Sequence, residues 1–298
     1  MRDRVAVFRA GVAGLALMRL SADGSGEEIS AALRALRWPL GTGTAGEIGG
    51  APFPETDARL GYREWADTYD QPGNPLIALE EQVMAPLLAR CPPGAALDVA
   101  AGTGRHARRL ACLGHRVTAV DTSVEMLARL EGRGIRAFAG DMTALPVRDA
   151  AFDLAVCSLA LTHASALDPP LREMGRVVHP GGAVVISDIH PLIAALGGHA
   201  YYRTAAGDMR FVRNHVWWPS DYLAAFAAAG LEVVNCHEPR LGAPEGVPHF
   251  LESPPPNEDA VARVAFRELP GAIIWELRRP LWERPRLGRR GPGRTPAS

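Results

Sequence analysis

Three aspartates stand where short apolar runs give out. Asp98 lies at the end of ALDVA (96–100), directly ahead of the glycines Gly102 and Gly104. Asp121 closes RVTAV (116–120), and Asp141 follows IRAFA (135–139) within GDMTALP (140–146). The two glycines let a backbone turn tightly and approach a ligand, and a helix starting behind them aims its N-terminus there. GTGRHA also fits the G-x-G-x-x-A loop of dinucleotide sites, so the glycines alone leave a nicotinamide oxidoreductase open. Asp98 argues against it, because a carboxylate in front of a pyrophosphate loop repels the pyrophosphate, whereas it suits a cationic ligand. Asp121 is placed to accept two ribose hydroxyls, and Asp141 suits an exocyclic adenine amine.

The elements that must position these groups alternate along the chain. Helical patterns at Tyr62–Tyr69 and Leu76–Arg90 precede the first strand, ALDVA. Then come a helix (His106–Leu113), RVTAV, a helix (Val124–Gly132), IRAFA, and FDLAVCS (152–158). A helix at Leu171–Val178, which Asp168-Pro169-Pro170 would start, is closed by the turn His179-Pro180-Gly181-Gly182 ahead of a fifth strand, AVVISD (183–188). Helix Ser220–Ala229, strand Leu231–Cys236, helix Glu258–Leu269 and strand GAIIWEL (271–277) complete the unit. Short apolar strands alternating with helices predict an α/β fold, a doubly wound, seven-stranded and mostly parallel sheet covered on both faces. Ligands bind such sheets beyond the carboxyl ends of the strands, where the strand order reverses.

A ligand joining an ammonium or sulfonium, a ribose and an adenine matches the three carboxylates, and S-adenosylmethionine has all three. The runs ALDVAAGTGRHARRLACLGHRVTAVDTSVEML, GDMTALPVRDAAFDLAVCSLALTH and LREMGRVVHPGGAVVIS resemble the class I S-adenosylmethionine-dependent methyltransferases, most of all the UbiE-like, type 11 small-molecule branch. The resemblance covers about residues 60–190 well and 190–280 loosely. It implies that Asp98, Ala100, Gly102 and Gly104 line the methionine moiety and that Asp121, with Thr122 beside it, holds the ribose. It further implies that Asp141 and Met142 read adenine, and that Cys157, Ser158 and Leu159 face the methionine amino group. Two positions depart from the family pattern: Ala100 replaces its first glycine, and His179 replaces the basic residue before Pro-Gly-Gly.

Chemistry on an acceptor needs further groups. His163 and His190 follow the fourth and fifth strands and can serve as the base that takes the acceptor's proton. Residues 189–218 exceed an ordinary connection, and HAYYR and MRFVRNHV flank Ala-Ala-Gly-Asp, which predicts a hairpin over the strand ends. Tyr201, His215 and Trp217 are its candidate substrate contacts. None of these three histidines shows metal-ligand spacing with a carboxylate, so no metal is expected.

Composition narrows the rest. The 32 basic residues, all arginine, balance 33 acidic ones, so no basic footprint for nucleic acid exists. Absence of lysine removes Schiff-base and P-loop chemistry. Four scattered cysteines form neither a disulfide framework nor a thiolate metal site, and no apolar run is long enough to span a membrane. These features predict a cytoplasmic protein with residues 1–55 as an extension, 56–283 as the catalytic domain with a lid insert at 189–218, and 284–298 as a disordered tail. The function expected is methyl transfer from S-adenosylmethionine to a small organic acceptor, compatible with natural-product biosynthesis and with a homodimer. The alternatives are a non-methylating S-adenosylmethionine-binding protein (a cyclase, a rearrangement catalyst or a sensor) and, remotely, an NAD-dependent oxidoreductase.

Overall fold

Runs such as LDV and LAVCS carry apolar side chains on both faces, which a strand tolerates only at the centre of a sheet covered twice. The computed structural model, which describes residues 2–40, 53–71, 74–130, 132, 134–241 and 258–281, places them there. Its elements are helices α1 (Arg2–Leu20) and α2 (Gly26–Leu40), the two-residue strand β1 (Glu55–Thr56), helices α3 (Ala58–Trp65) and α4 (Pro75–Ala89), strand β2 (Ala95–Val99), helix α5 (Arg105–Cys112), strand β3 (Arg116–Asp121), helix α6 (Val124–Leu127) and strands β4 (Arg136–Ala139) and β5 (Phe152–Ser158). A 3-10 turn (Leu161–His163) and helix α7 (Asp168–Val177) lead to strand β6 (Val178–Ile189), helix α8 (Pro191–Ala195), strands β7 (Ala200–Arg203) and β8 (Met209–Val212), helix α9 (Pro219–Ala229), strand β9 (Glu232–His237), helix α10 (Glu258–Phe266) and strand β10 (Ala272–Arg278).

The main sheet has seven strands in the order β4-β3-β2-β5-β6-β10-β9. Pairing is parallel from β4 through β6, whereas β10 runs antiparallel to both neighbours. The order reverses between β2 and β5, so Asp98 and Ser158 end neighbouring strands at the switch point. One core layer packs Leu97, Cys157, Met174, Tyr222, Phe226 and Trp275 on one face, and a second packs Met84, Leu88, Leu110, Val156 and Ile274 on the other.

Several boundaries move for physical reasons. Helix α6 stops at Leu127 rather than Gly132, because Arg129 and Leu130 close into turns. The helical pattern expected over Tyr62–Tyr69 lies one turn earlier, since Asp57 caps α3 by accepting from the Leu60 N–H. His179–Gly182 is not a free turn: β6 already pairs at Val178, and the extra residues are absorbed by a register shift opposite Phe152 and Leu154. Within 1–55, the apolar run near the N-terminus is helical, and α1, α2 and α10 share a small core of Ala13, Ala16, Leu20, Ala32, Val261 and Ala265. The hairpin expected in the 189–218 insert forms as β7 and β8, and β1 adds to it in parallel. The expected tail, 284–298, lies outside the described residues.

Candidate functional site

The loop after β2 is built on left-handed backbone. Gly102 and Gly104 have φ of +55° and +86°, and a Cβ on Gly104 would strike Leu130 at 2.6 Å. A Cβ on Gly102 would meet no atom within 4 Å, which leaves open space above the loop. Ala100 takes φ +53° without a glycine's freedom, and Leu159 after β5 takes φ +52°. Two strained non-glycine residues therefore flank the switch point.

Asp98 is buried below this loop. It accepts the Ala107 N–H, but its Oδ2 has no partner among the described residues. Burial lifts its carboxyl to about 6, against the pull of His106 and Arg105. A buried acceptor without a donor is costly, and a ligand cation would supply one. Asp121, lifted by burial, accepts the Gly102 N–H at 2.7 Å and the Ser123 N–H at 2.8 Å, and so ties the glycine loop to β3. A further backbone bond comes from Thr122, and the carboxylate retains a lone pair for a ligand hydroxyl. Asp141 is exposed and closes a turn by accepting from the Thr143 N–H and hydroxyl at 2.8 and 2.7 Å, while Met142 packs partly into the core. Thr122 is exposed beside Asp121, and Cys157 is fully buried.

His163 ends the 3-10 turn. Its Nδ1 meets the Arg213 carbonyl at 2.9 Å, which can only accept, so Nε2 is unprotonated and takes the Tyr62 hydroxyl proton at 2.7 Å. Burial holds the imidazole down to about 4, so it is neutral at neutral pH, and burial pushes the Tyr62 phenol well above its usual range. His190 does something else. It caps α8, accepting the Leu192 N–H on Nδ1 at 3.2 Å, and its Nε2 lies 3.1 Å from Glu238. Both of its nitrogens are thus engaged at the start of α8.

A wall of aromatic rings rises beside His163. Tyr62 stacks near Trp65, Trp65 stacks on Tyr202 at 5.6 Å, and Tyr69 meets both Tyr62 and Trp65 edge-on. Glu64 locks α3 to the hairpin by accepting from the Tyr202 hydroxyl at 2.8 Å and pairing with Arg210 at 3.2 Å. Tyr201 packs against Phe53 and Phe211, and its hydroxyl donates to the Gly197 carbonyl. His215 and Trp217 lie together at 6.0 Å, and the Trp217 Nε1 is buried without a partner among the described residues.

Sequence reasoning did not single out three buried residues: Glu80, Asp188 and Thr103. Asp188, at the end of β6, accepts from the Thr162 N–H at 2.8 Å and the Tyr222 hydroxyl at 2.9 Å, and burial lifts it to about 7. Thr103 donates its hydroxyl to Asp70 at 2.8 Å, which ties the segment after α3 to the glycine loop. Glu81 and His106 also approach Glu80 closely enough to surround a cation, and Arg105 lies among them.

The fold and the geometry agree with what known proteins show. Residues 97–186 match the type 11 methyltransferase domain. Over that segment the chain is similar to the class I S-adenosylmethionine-dependent methyltransferases. Demethylmenaquinone methyltransferase of Mycobacterium marinum is 39% identical over 105 residues, 35% of this chain and 46% of that protein. Malonyl-[acyl-carrier protein] O-methyltransferase of Erwinia pyrifoliae is 40% identical over 116 residues, 37% of this chain and 44% of that one. The chain thus spans less than half the length of either relative. Among solved structures, the [4+2]-cyclase SpnF superposes with a TM-score of 0.54 at 18% identity, covering 78% of this chain and all of that one, a likeness of fold alone. The residues present fit S-adenosylmethionine as a cofactor: a buried, half-partnered carboxylate and open space over Gly102 stand together at the switch point. No helix among the described residues is long and apolar enough to cross a membrane.

Proposed function

We propose that this chain moves the methyl group of S-adenosylmethionine to a hydroxyl of a small organic acceptor. The observation that carries the reading is Asp98, a buried carboxylate with one oxygen unpartnered beside the glycine loop. In this reading Asp98, Ala100, Gly102 and Gly104 hold the methionine end, Asp121 and Thr122 the ribose, Asp141 and Met142 the adenine, and the backbone at Cys157–Leu159 faces the amino group. Held there, the cofactor would supply a sulfonium-activated methyl group for the acceptor oxygen.

The chain's own work is alignment and removal of a proton. Alignment supplies the larger share, up to roughly 7–11 kcal/mol. The base is His163, reached through Tyr62: the acceptor hydroxyl gives its proton to the Tyr62 oxygen as the Tyr62 proton passes to Nε2. The imidazolium so formed keeps its Nδ1–H on the Arg213 carbonyl. Aromatic walls favour a flat acceptor, and Trp217, Tyr201 and His215 are its proposed contacts on the insert. The low charge and separate thiols support a cytoplasmic setting and an acceptor other than nucleic acid. A homodimer that covers the exposed Met18 and Leu33 is part of the proposal.

Calorimetry tests it. S-adenosylmethionine and S-adenosylhomocysteine are expected to bind, with NAD far weaker. Tighter binding of NAD would sink the reading. Binding with no methyl transfer across a panel of phenols and hydroxy acids would favour a non-methylating catalyst instead.

A further inference from the structure

Glu80 sits on α4, outside the segment that matches the family, with its side chain wholly shielded from solvent. A lone carboxylate there would be strongly destabilising. This one is surrounded by donors from three other elements. The Ser158 hydroxyl of β5 donates to Oε1 at 2.5 Å, and the Ser187 hydroxyl of β6 donates to the same oxygen. Arg105 of α5 pairs with Oε2 at 2.5 Å, and His106 of α5 approaches Oε1 at 3.4 Å. Glu81, next in sequence, takes the other end of the Arg105 guanidinium and also Arg109. The carboxylates and the imidazole could together hold a cation, and the guanidinium is that cation. Burial raises the Glu80 carboxyl, but the His106 bond and the Arg105 charge outweigh it, and the group falls to about 2.

What these donors hold is the floor of the cofactor site. Arg105 directly follows Gly104, the left-handed residue that caps α5, and its NH2 also reaches the Ser158 hydroxyl at 2.9 Å. Ser158 ends β5 at the switch point, beside the strained Leu159. Ser187 precedes Asp188, which fixes Thr162 and hence the turn bearing His163. One buried carboxylate therefore joins the glycine loop's helix to two strand ends. We propose that Glu80 is a positioning residue for S-adenosylmethionine: it sets the spacing between the start of α5 and the ends of β5 and β6, and touches no ligand itself. This rests on the cofactor reading above.

In Glu80→Gln the side chain keeps its size but offers one acceptor oxygen and no charge. Arg105, partly exposed already, then turns toward Glu81 and solvent, and releases Ser158. Calorimetry with S-adenosylhomocysteine on the full chain, well below each variant's Tm, is expected to show Glu80→Gln binding about tenfold or more weakly, since bonds to a charged group are lost. Leu79→Ala is the control: Leu79 is buried on the same helix against Gly271, outside the network, and its loss should lower Tm with affinity kept within about threefold. Ser187→Ala removes one donor while leaving the ion pair intact, and should weaken binding about threefold even if Glu80→Gln fails to fold. Unchanged affinity in Ser187→Ala or in folded Glu80→Gln overturns the proposal, as does an equal loss in Leu79→Ala, which would make affinity a mere follower of stability. A wild-type chain that does not bind S-adenosylhomocysteine brings down the cofactor reading itself, an outcome distinct from equal binding by variant and wild type.

Discussion

The floor of the site and its aromatic wall are built by opposite means. The floor comes from the ends of β2, β3, β5 and β6 with Glu80 of α4 beneath them, and consists of glycine turns and buried carboxylates held by backbone N–H groups and hydroxyls. The wall joins two segments far apart in sequence, 53–69 and 199–217, through ring stacking and the Glu64 and Glu55 ion pairs. The floor carries unfavourable burial of charge in return for a ligand cation; the wall carries none, since its carboxylates are paired with arginines near the surface. Floor residues should therefore govern cofactor affinity, and wall residues the rate of transfer.

The sharpest test of this division is His163→Ala, which should lower turnover by about 10²–10⁴-fold while S-adenosylhomocysteine affinity stays nearly intact. Rates measured from pH 6 to 10 should show the smallest loss at high pH, where acceptors ionise unaided. His163 itself, held to about 4, should contribute no inflection in that range. If affinity falls in step with rate, floor and wall are not separable.

Next in size is Asp98→Asn. It should weaken S-adenosylmethionine binding by about 1.5–3 kcal/mol, the worth of a bond to a charged group. The same change should raise the Tm of the ligand-free protein at pH 8. The sign follows from the shift: a carboxyl raised from 3.8 to about 6 in the fold binds protons more readily folded than unfolded, so it destabilises above 6. That penalty, on the order of 3 kcal/mol, fades as pH falls through 6 and vanishes below 3.8. Thermal melts at pH 4 and pH 8 check it, and a lower Tm for the variant at pH 8 would contradict the strained-floor picture.

The smallest expected effect is Ala100→Gly. Relief of a left-handed alanine should outweigh glycine's extra chain entropy and stabilise the fold by about 0.5–1 kcal/mol, with cofactor affinity unchanged. Denaturant titration resolves a change of that size.

These differences also explain what could be read in the sequence. Asp98, Asp121 and Asp141 are legible because strand ends announce themselves by apolar runs and glycines. Glu80 is not, because adjacent glutamates on a helix look like a solvated face. The available signal is its place on the stripe Leu76, Glu80, Met84 and Leu87, which is otherwise apolar. The cap at His190 is legible from Pro191, for a proline in the first turn marks the preceding residue as a cap. Tyr62 and His163 are one hundred and one residues apart, and no local pattern links a tyrosine on α3 to a histidine beyond β5. Helix α1 hides for another reason: its apolar residues run all round it, so no periodicity marks it.

The parallel pairing of β1 with β8 bears on recombination. Because Glu55 and Thr56 sit in one small sheet with the hairpin, and Gly61 lies where a Cβ would strike Val212 at 2.4 Å, neither segment can be replaced alone without a clash or an unpaired strand. Grafting a different acceptor preference onto this scaffold would mean transplanting 53–69 and 199–217 as a single cassette, with the nucleoside-binding half left as found.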